Sequence, residues 1–204
     1  MSDYQFTNAW FEENKLVWDH LLSQLNPTKI LEVGSFEGAS VCYLIEKFGA
    51  TNDLEIHTID TWEGGIEHQV IDMSDVEKRF LHNVELALSK VDKEIEMSVH
   101  KGFSDQQMAK LLAEDKGQYF DFIYIDGSHQ APDVLCDAIL GFKLLRVGGI
   151  LAFDDYLWNE SLPYGKDPIR CPKVAVDAFT NIFCRKISVI GAPLRQVYVQ
   201  KIAA

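Results

Sequence analysis

The 204-residue chain is poor in basic residues and has no long apolar run, and each shortage excludes a class of protein. Lys and Arg total 19 against 31 Asp and Glu, a formal net charge of −12. That charge disfavours non-specific binding to nucleic acid or to an anionic membrane surface. No apolar run approaches the roughly 20 residues of a membrane-spanning helix, and no basic segment followed by an apolar stretch marks a signal peptide. We therefore expect neither nucleic acid nor a membrane as partner.

Cysteines are few, and none of the four forms a C-x-x-C pair; they are Cys42, Cys136, Cys171 and Cys184. Reduced thiols and a cytoplasmic location are the default expectation for such a chain. The sequence also has no internal repeat, low-complexity tract or linker. Its length suits one domain with a sizeable core, so we predict that residues 1–204 form a single domain.

One apolar segment runs directly into a glycine turn. Residues 30–33 have the composition of a buried parallel strand, Gly34 and Gly38 bracket a turn, and a helical pattern follows. Phe36 occupies the place of the second glycine in a dinucleotide fingerprint, where it would obstruct a pyrophosphate. Together with Glu32, the Glu-x-Gly-x-x-x-Gly spacing instead suits a zwitterionic ligand that carries an amino group and a carboxylate.

The rest of the chain alternates apolar strands with amphipathic helices. Further strands are predicted at residues 55–60, 95–99, 120–125, 150–153, 187–190 and 196–200, with Gly148 and Gly149 as a break before the fifth strand. The last two strands form a hairpin. The pattern predicts an α/β fold with a doubly wound, mostly parallel seven-stranded sheet and one antiparallel strand near its C-terminal edge.

Two segments outside this alternation are candidates for covering a site. Residues 1–26 are predicted as an N-terminal helical cover, which either only covers the sheet or also walls a substrate pocket with its aromatic start. Residues 157–172 lack periodicity and contain three prolines and a glycine. Loops of this length are usually functional or disordered. We predict a lid here, in which Tyr156, Trp158 and Tyr164 help enclose the substrate.

Carboxylates cluster where the predicted strands end, at Glu32, Asp60, Asp126 and the pair Asp154 and Asp155. In open α/β sheets, ligands bind beyond the carboxyl ends of the strands. A single carboxylate in such a position often caps the next helix, but four strands ending in this way indicate a site. Asp60 follows the second strand, where acidic residues accept hydrogen bonds from a ribose diol.

The other carboxylates suggest a different ligand. Asp126, Asp154 and Asp155 offer oxygen ligands from neighbouring strands, a set that suits a hard divalent cation such as Mg²⁺. The alternative is that one of the adjacent pair turns away, because neighbouring side chains on a strand point to opposite faces. His129 lies three residues after Asp126 and is either a general base at neutral pH or an ordinary surface or capping residue.

With these motifs in hand, the chain resembles, from about residue 30 to residue 202, the class I S-adenosylmethionine-dependent methyltransferases. Within that class it is similar to the metal-dependent small-molecule O-methyltransferases of the catechol and macrolide-sugar type. The resemblance implies a Rossmann-like methyltransferase fold and a cofactor site made of Glu32, Gly34, Ser35, Phe36, Gly38, Ser40, Asp60, Thr61, Trp62, Gly102, Phe103, Ser104 and Asp126. It also implies that His129 is the catalytic base and that Asp126, Asp154 and Asp155 are the metal ligands.

The resemblance implies that the chain methylates a hydroxyl of a small molecule, of the catechol or sugar-diol type, with S-adenosylmethionine and a divalent cation, in particular Mg²⁺. The acceptor is not identified by the sequence, and a homo-oligomer stays open. Two alternatives remain. One is a nucleotide-binding, Rossmann-like oxidoreductase, against which Phe36 argues. The other is a cofactor-binding protein without catalysis, against which His129 and the three aspartates argue.

Overall fold

A seven-stranded sheet forms the centre of the computed structural model, which describes residues 3–65, 68 and 71–204. The strands are β1 (Lys29–Val33), β2 (Leu54–Asp60), β3 (Ile95–Lys101), β4 (Phe120–Ile125), β5 (Leu145–Phe153), β6 (Ile187–Ile190) and β7 (Val197–Lys201). Their order is β3-β2-β1-β4-β5-β7-β6. Strands β1 to β5 pair in parallel, and β7 runs antiparallel to both of its neighbours. The predicted mostly parallel sheet with one antiparallel strand near its C-terminal edge is confirmed.

Helices cover both faces of the sheet. They are α1 (Lys15–Leu25), α2 (Ala39–Phe48), α3 (Val76–Leu88), α4 (Ser104–Ala113), α5 (Ala131–Leu144) and α6 (Pro172–Ile182). One apolar cluster contains buried residues of α1, α2 and α3, and the other contains buried residues of α4, α5 and α6. Successive strand residues supply opposite clusters, as Ile30 and Leu31 do, because side chains alternate across a strand. Within the described residues, no helix is long and apolar enough to cross a membrane.

Strand β5 begins at Leu145, earlier than the predicted residue 150, so Gly148 and Gly149 lie inside a strand. The pairing register between β4 and β5 shifts at this point. A Cβ atom on Gly149 would lie 2.8 Å from the backbone oxygen of Asp121. The two glycines therefore allow an irregular, close backbone contact within the sheet and do not interrupt the strand.

Backbone hydrogen bonds continue one residue past the ends of the central strands. The amide of Gly34 donates to the Ile59 carbonyl at 2.8 Å, and the amide of Asp126 donates to the Val33 carbonyl at 2.7 Å. The amide of Asp154 likewise donates to the carbonyl of Ile125 at 3.0 Å. These bonds hold the residues that follow β1, β4 and β5 at one edge of the sheet.

Candidate functional site

A cavity of about 1060 Å³ opens at this carboxyl edge. Its wall combines the glycine turn after β1, the end of β2, the start of α4, the turn after β4 and the end of β5. Residues of the N-terminal segment complete it, namely Phe6, Asn8, Trp10 and Phe11. Of the predicted site residues, the wall includes Gly34, Ser35, Phe36, Ser40, Asp60, Thr61, Gly102, Phe103, Ser104, Asp126, His129, Asp154 and Asp155.

Asp60 fixes the shape of the glycine turn. Its Oδ2 accepts hydrogen bonds from the amides of Ser35 and Phe36, each at 2.8 Å, and its Oδ1 accepts from the amide of Trp62 at 2.7 Å. The turn also requires glycine at position 34, where φ is +85° and a Cβ atom would lie 2.0 Å from the Asp126 carbonyl oxygen. The backbone of the glycine turn therefore lies too close to the turn after β4 for any side chain at position 34.

Three predicted site residues do not line the cavity that the described residues form, but lie behind its wall. Glu32 is fully buried and accepts a hydrogen bond from the Ser40 hydroxyl, and burial raises the pKa of Glu32 to about 7. Gly38 has a φ of +80° and faces Phe80. Trp62, predicted beside the adenine, is instead 5% exposed, with its ring 5.0 Å from that of Phe80. Its indole N–H donates to the Phe36 carbonyl at 3.0 Å, so these residues support the turn from below.

The structure brings together a different trio from the predicted set of three aspartates. One ligand atom each from Asp126, His129 and Asp155 lies within 4.8 Å of the others. His129 Nε2 is 3.0 Å from Asp155 Oδ2. Asp155 has a φ of +52°, a left-handed conformation that differs from the extended backbone of a strand, and its amide donates to Asp154 Oδ1 at 2.7 Å. Asp154 is outside this group, although it lines the same cavity and its charge also acts on Asp126.

Asp154 belongs to a buried hydrogen-bond network. Its Oδ2 accepts from the Asn14 amide at 3.2 Å and the Gln196 amide at 2.8 Å, and it also contacts the Tyr124 hydroxyl. That hydroxyl also lies 2.9 Å from Asp126 Oδ2. The Tyr124 phenol thus links Asp154 to Asp126, and the Asp155 amide also donates to Asp154 Oδ1 at 2.7 Å. Sequence reasoning missed Asn14, Tyr124 and Gln196, because none of them shows a spacing that distinguishes it from ordinary core or loop residues.

The acidic groups repel one another. Burial, followed by the charges of Asp154 and Asp155, raises the pKa of Asp126 well above its usual range. Burial and Asp155 also raise the pKa of Asp154. Arg195 is on the cavity wall, but it donates to Glu13 at 2.6 Å and to the Trp10 carbonyl at 2.9 Å. The cluster thus has the oxygen donors and the excess negative charge that suit a hard divalent cation.

Aromatic rings enclose the outer part of the cavity. Trp10 is half exposed, with its ring 5.2 Å from that of Phe36, so the aromatic start of the N-terminal segment does wall the cavity. Trp158 also lines it, and its ring lies 4.2 Å from that of His129. The other two predicted lid aromatics are not on the described wall, since the Tyr156 hydroxyl donates to Asp177 at 2.7 Å and Tyr164 is 73% exposed.

Comparison with known proteins adds independent evidence. Residues 31–156 match the family model described as "Methyltransferase domain". A caffeoyl-CoA O-methyltransferase of Populus kitakamiensis is 24% identical over 83% of this chain, and the chain spans just under two thirds, 66%, of that relative.

Solved structures resemble the whole chain. An O-methyltransferase from Bacillus cereus in complex with SAH has a TM-score of 0.65 at 16% identity, with 97% of this chain and 84% of that one covered. The MycE methyltransferase from the mycinamycin biosynthetic pathway, in complex with Mg and SAH, has a TM-score of 0.58 at 19% identity, with 98% and 51% covered.

Proposed function

Because the chain belongs to the methyltransferase-domain family, we propose that it transfers the methyl group of S-adenosylmethionine to a hydroxyl of a small-molecule acceptor. The observation that carries the proposal is the single cavity that joins the glycine turn to the trio of Asp126, His129 and Asp155. One end suits the cofactor and the other suits a proton-transfer reaction. The caffeoyl-CoA O-methyltransferase relative supports a hydroxyl acceptor. Membership of a methyltransferase family also argues against the oxidoreductase alternative.

The cofactor would lie along the turn and the start of α4. The glycine turn leaves bare backbone at the N-terminus of α2, where a ligand carboxylate is favoured. Ser40 is in the first turn of that helix and lines the cavity. We propose that Asp60 also accepts hydrogen bonds from the ribose hydroxyls, and that residues 102–104 border the adenine. Two solved neighbours in complex with SAH support the choice of S-adenosylmethionine as the cofactor.

His129 would accept the proton of the acceptor hydroxyl as the hydroxyl oxygen attacks the methyl group. Histidine suits this role because its unperturbed pKa is about 6.5. Asp155, 3.0 Å from Nε2, would orient the imidazole and stabilise the positive charge that it gains. The Trp158 ring against His129 would exclude water from this proton transfer. The remaining contribution is alignment, because the sulfonium is already a good leaving group.

We also propose that the carboxylates hold a divalent cation, with Mg²⁺ the natural choice. Asp126 and Asp155 would be its protein ligands, and Asp154 would support Asp126 through Tyr124. Such a cation would lower the pKa of the acceptor hydroxyl. The fit is supported by the mutual repulsion of the aspartates and by the Mg in the MycE complex. A vicinal diol, as in a catechol or a sugar, offers the two oxygens that such a cation can bind.

Calorimetry and a turnover assay test the proposal together. The purified chain should bind S-adenosylhomocysteine, and a panel of catechols and sugar diols should include an acceptor that yields this product from S-adenosylmethionine. EDTA should abolish turnover and leave cofactor binding intact. No binding of either cofactor form by folded protein would refute the proposed function. Full turnover in EDTA would refute only the metal and leave His129 as the base.

A further inference from the structure

A buried glutamine outside the cavity wall, as the described residues form it, is joined to the acidic end of the site. Gln196 directly precedes β7. Phe153, the last residue of β5, pairs with Val197, so Gln196 lies opposite Asp154, the first residue after β5. Gln196 Nε2 donates to Asp154 Oδ2 at 2.8 Å. The antiparallel pairing of β7 with β5 thus brings a side-chain amide to the acidic end of the cavity.

The side-chain amide of Gln196 fits its surroundings in only one orientation. Its Oε1 accepts a hydrogen bond from the indole N–H of Trp18 at 3.0 Å, and the Tyr198 hydroxyl contacts the same oxygen. An indole N–H only donates, so the atom that faces Trp18 must be the carbonyl oxygen. A swapped amide would set donor against donor at Trp18 and acceptor against acceptor at Asp154. Because Trp18 is fully buried in α1, it fixes the amide NH₂ group towards Asp154.

Asp154 in turn holds the backbone of the next residue. Its other oxygen, Oδ1, accepts a hydrogen bond from the Asp155 amide at 2.7 Å. Asp155 has a φ of +52°, which is uncommon for a residue other than glycine and persists where neighbouring contacts support it. On the other side of Asp155, the Tyr156 amide donates to the Arg195 carbonyl at 3.1 Å. Residues 195 and 196 therefore hold the chain on both sides of Asp155.

The turn at Asp155 determines how its carboxylate approaches His129, the proposed base. His129 Nε2 lies 3.0 Å from Asp155 Oδ2. The direction of a Cα–Cβ bond follows from the backbone angles, so a change in this turn would displace the carboxylate. We infer that Gln196 is a positioning residue: by holding Asp154, it fixes the turn that aligns the Asp155 carboxylate with His129. The inference rests on the proposed function, in which His129 accepts the proton of the acceptor hydroxyl.

The competing explanation is that Gln196 only satisfies buried polar groups and so stabilises the fold. Both explanations predict a less stable protein when the amide is removed, because Trp18 and Asp154 each lose a buried partner. They differ in what happens at His129. Only the positioning role predicts that the surroundings of the imidazole and the rate of turnover both change in a variant that stays folded.

Gln196→Met tests the inference, because methionine is similar in length and cannot donate a hydrogen bond. In proton–nitrogen correlation spectra of the imidazoles, recorded at one pH without ligands, the His129 signals should shift. Those of His100, in the edge strand β3, should not. With an acceptor from the turnover assay, kcat should fall by about 10–100-fold, the usual cost of a small misplacement, with the acceptor KM within about 3-fold of the wild type. Binding of S-adenosylhomocysteine should be unchanged.

Gln200→Met is the matched control. Gln200 is a half-buried glutamine in β7, and its amide donates to the Gly148 carbonyl at 3.1 Å, away from the site. This variant should keep the wild-type spectrum and kcat. If Gln196→Met does not fold, Asn14→Ala removes the other amide that donates to Asp154 Oδ2, at 3.2 Å. Asn14→Ala should then shift the same His129 signals and lower kcat.

Unshifted His129 signals in the folded variant, even with a lower melting temperature, would overturn the inference in favour of the structural role. Shifted signals with a wild-type kcat would also overturn it, because the alignment would then have no effect on the reaction. Either result leaves the proposed function standing. A folded wild type that neither binds S-adenosylhomocysteine nor methylates any acceptor would instead refute the proposed function, and with it the catalytic role inferred for Gln196.

Discussion

Tyr124 contacts two acidic side chains of the site, Asp126 and Asp154. Its ring is buried in β4, while its hydroxyl lies between Asp126 and Asp154. In an apolar strand, a tyrosine is ordinarily read as a core residue, and here only the hydroxyl is exceptional. Removing it would take a donor away from Asp126 Oδ2, whereas Asp154 Oδ2 would keep the Asn14 and Gln196 amides. Loss of a partner for a polar group in this cluster is more costly than the net value of the hydrogen bond itself.

We expect Tyr124→Phe to lower the free energy of unfolding by about 1–3 kcal/mol, the usual cost of leaving a buried polar group without its partner. Urea denaturation followed by circular dichroism measures this change. Tyr164→Phe is the matched control, because Tyr164 is 73% exposed and exposed substitutions usually change stability by less than about 0.5 kcal/mol. Equal midpoints for the two variants would show that the phenol does not stabilise the acidic cluster.

His129→Ala should lower turnover by about 10²–10⁴-fold, the usual contribution of a general base. The affinity for S-adenosylhomocysteine should be unchanged, because the proposed role of His129 concerns only the acceptor hydroxyl. Raising the pH should partly restore the rate, since hydroxide can replace a missing base. His20→Ala is the control, as His20 is exposed on α1. Wild-type turnover in His129→Ala would remove the histidine from the mechanism.

The segment of residues 157–172 is predicted to be a lid, and that role depends on how the segment packs in the tertiary structure. It contains a single 3₁₀ turn, Pro168–Arg170, and its ion pair between Arg170 and Glu160 spans 2.7 Å. Trp158 is its contact with the site, through the ring of His129. A lid that closes over the acceptor would use this contact, because the indole is large, rigid and apolar.

Limited proteolysis tests the lid. Cleavage within residues 157–172 should slow when S-adenosylhomocysteine and an acceptor are both bound, since closure would remove the backbone from the protease. Trp158→Ala should lose most of this protection. Leu157→Ala should retain it, because Leu157 is 56% exposed and lies outside the cavity wall as described. Cleavage at the same rate with and without saturating ligands would refute a lid role.

The stability of the whole molecule should depend on pH through its buried carboxyl groups. Burial raises the pKa of Glu32 from 4.5 and that of Asp137 from 3.8, in each case to about 7. The folded state then holds protons that the unfolded state has released. The stability that these groups contribute is fully present when the pH is below their pKa in the unfolded state. It is lost as the pH rises through their pKa in the folded state. The lowered pKa values of His57 and His100 have the opposite effect on stability, which rises with pH because of them, but only below a pH of about 6.5.

The free energy of unfolding should therefore fall between pH 6.5 and 8, by about 1 kcal/mol for each of the two carboxyl groups. Urea denaturation of the ligand-free protein across this range measures the slope. Glu32→Gln and Asp137→Asn should each flatten it, because an amide does not titrate. Glu63→Gln, at an exposed position, is the control and should leave the slope unchanged. A stability that rises with pH in this window would contradict the prediction.

The sequence by itself determined the order of the elements and the edge of the sheet that carries the site. Strand and helix periods are local properties, and Gly34, Asp60 and Asp126 directly follow or end their strands, so their positions could be predicted from spacing alone. The resemblance to O-methyltransferases rests on the same local motifs. The length of strand β5 was less well predicted. This strand continues through Gly148 and Gly149, and only the close approach of β4 to Gly149 explains a glycine there.

Only the tertiary structure decided where the side chains of the site point. Asp154 and Asp155 are neighbours in sequence, yet Asp155, which has a left-handed backbone, lies against His129, whereas Asp154 accepts hydrogen bonds from Asn14 and Gln196. Trp62, which the resemblance placed along the adenine, is buried against Phe80 and does not line the cavity as described. Such contacts depend on backbone angles after a strand ends and on partners that lie 26, 42 and 140 residues away in the sequence. Neither the backbone angles nor the partners can be predicted from the periodicity of the sequence, because both arise from packing between distant parts of the chain.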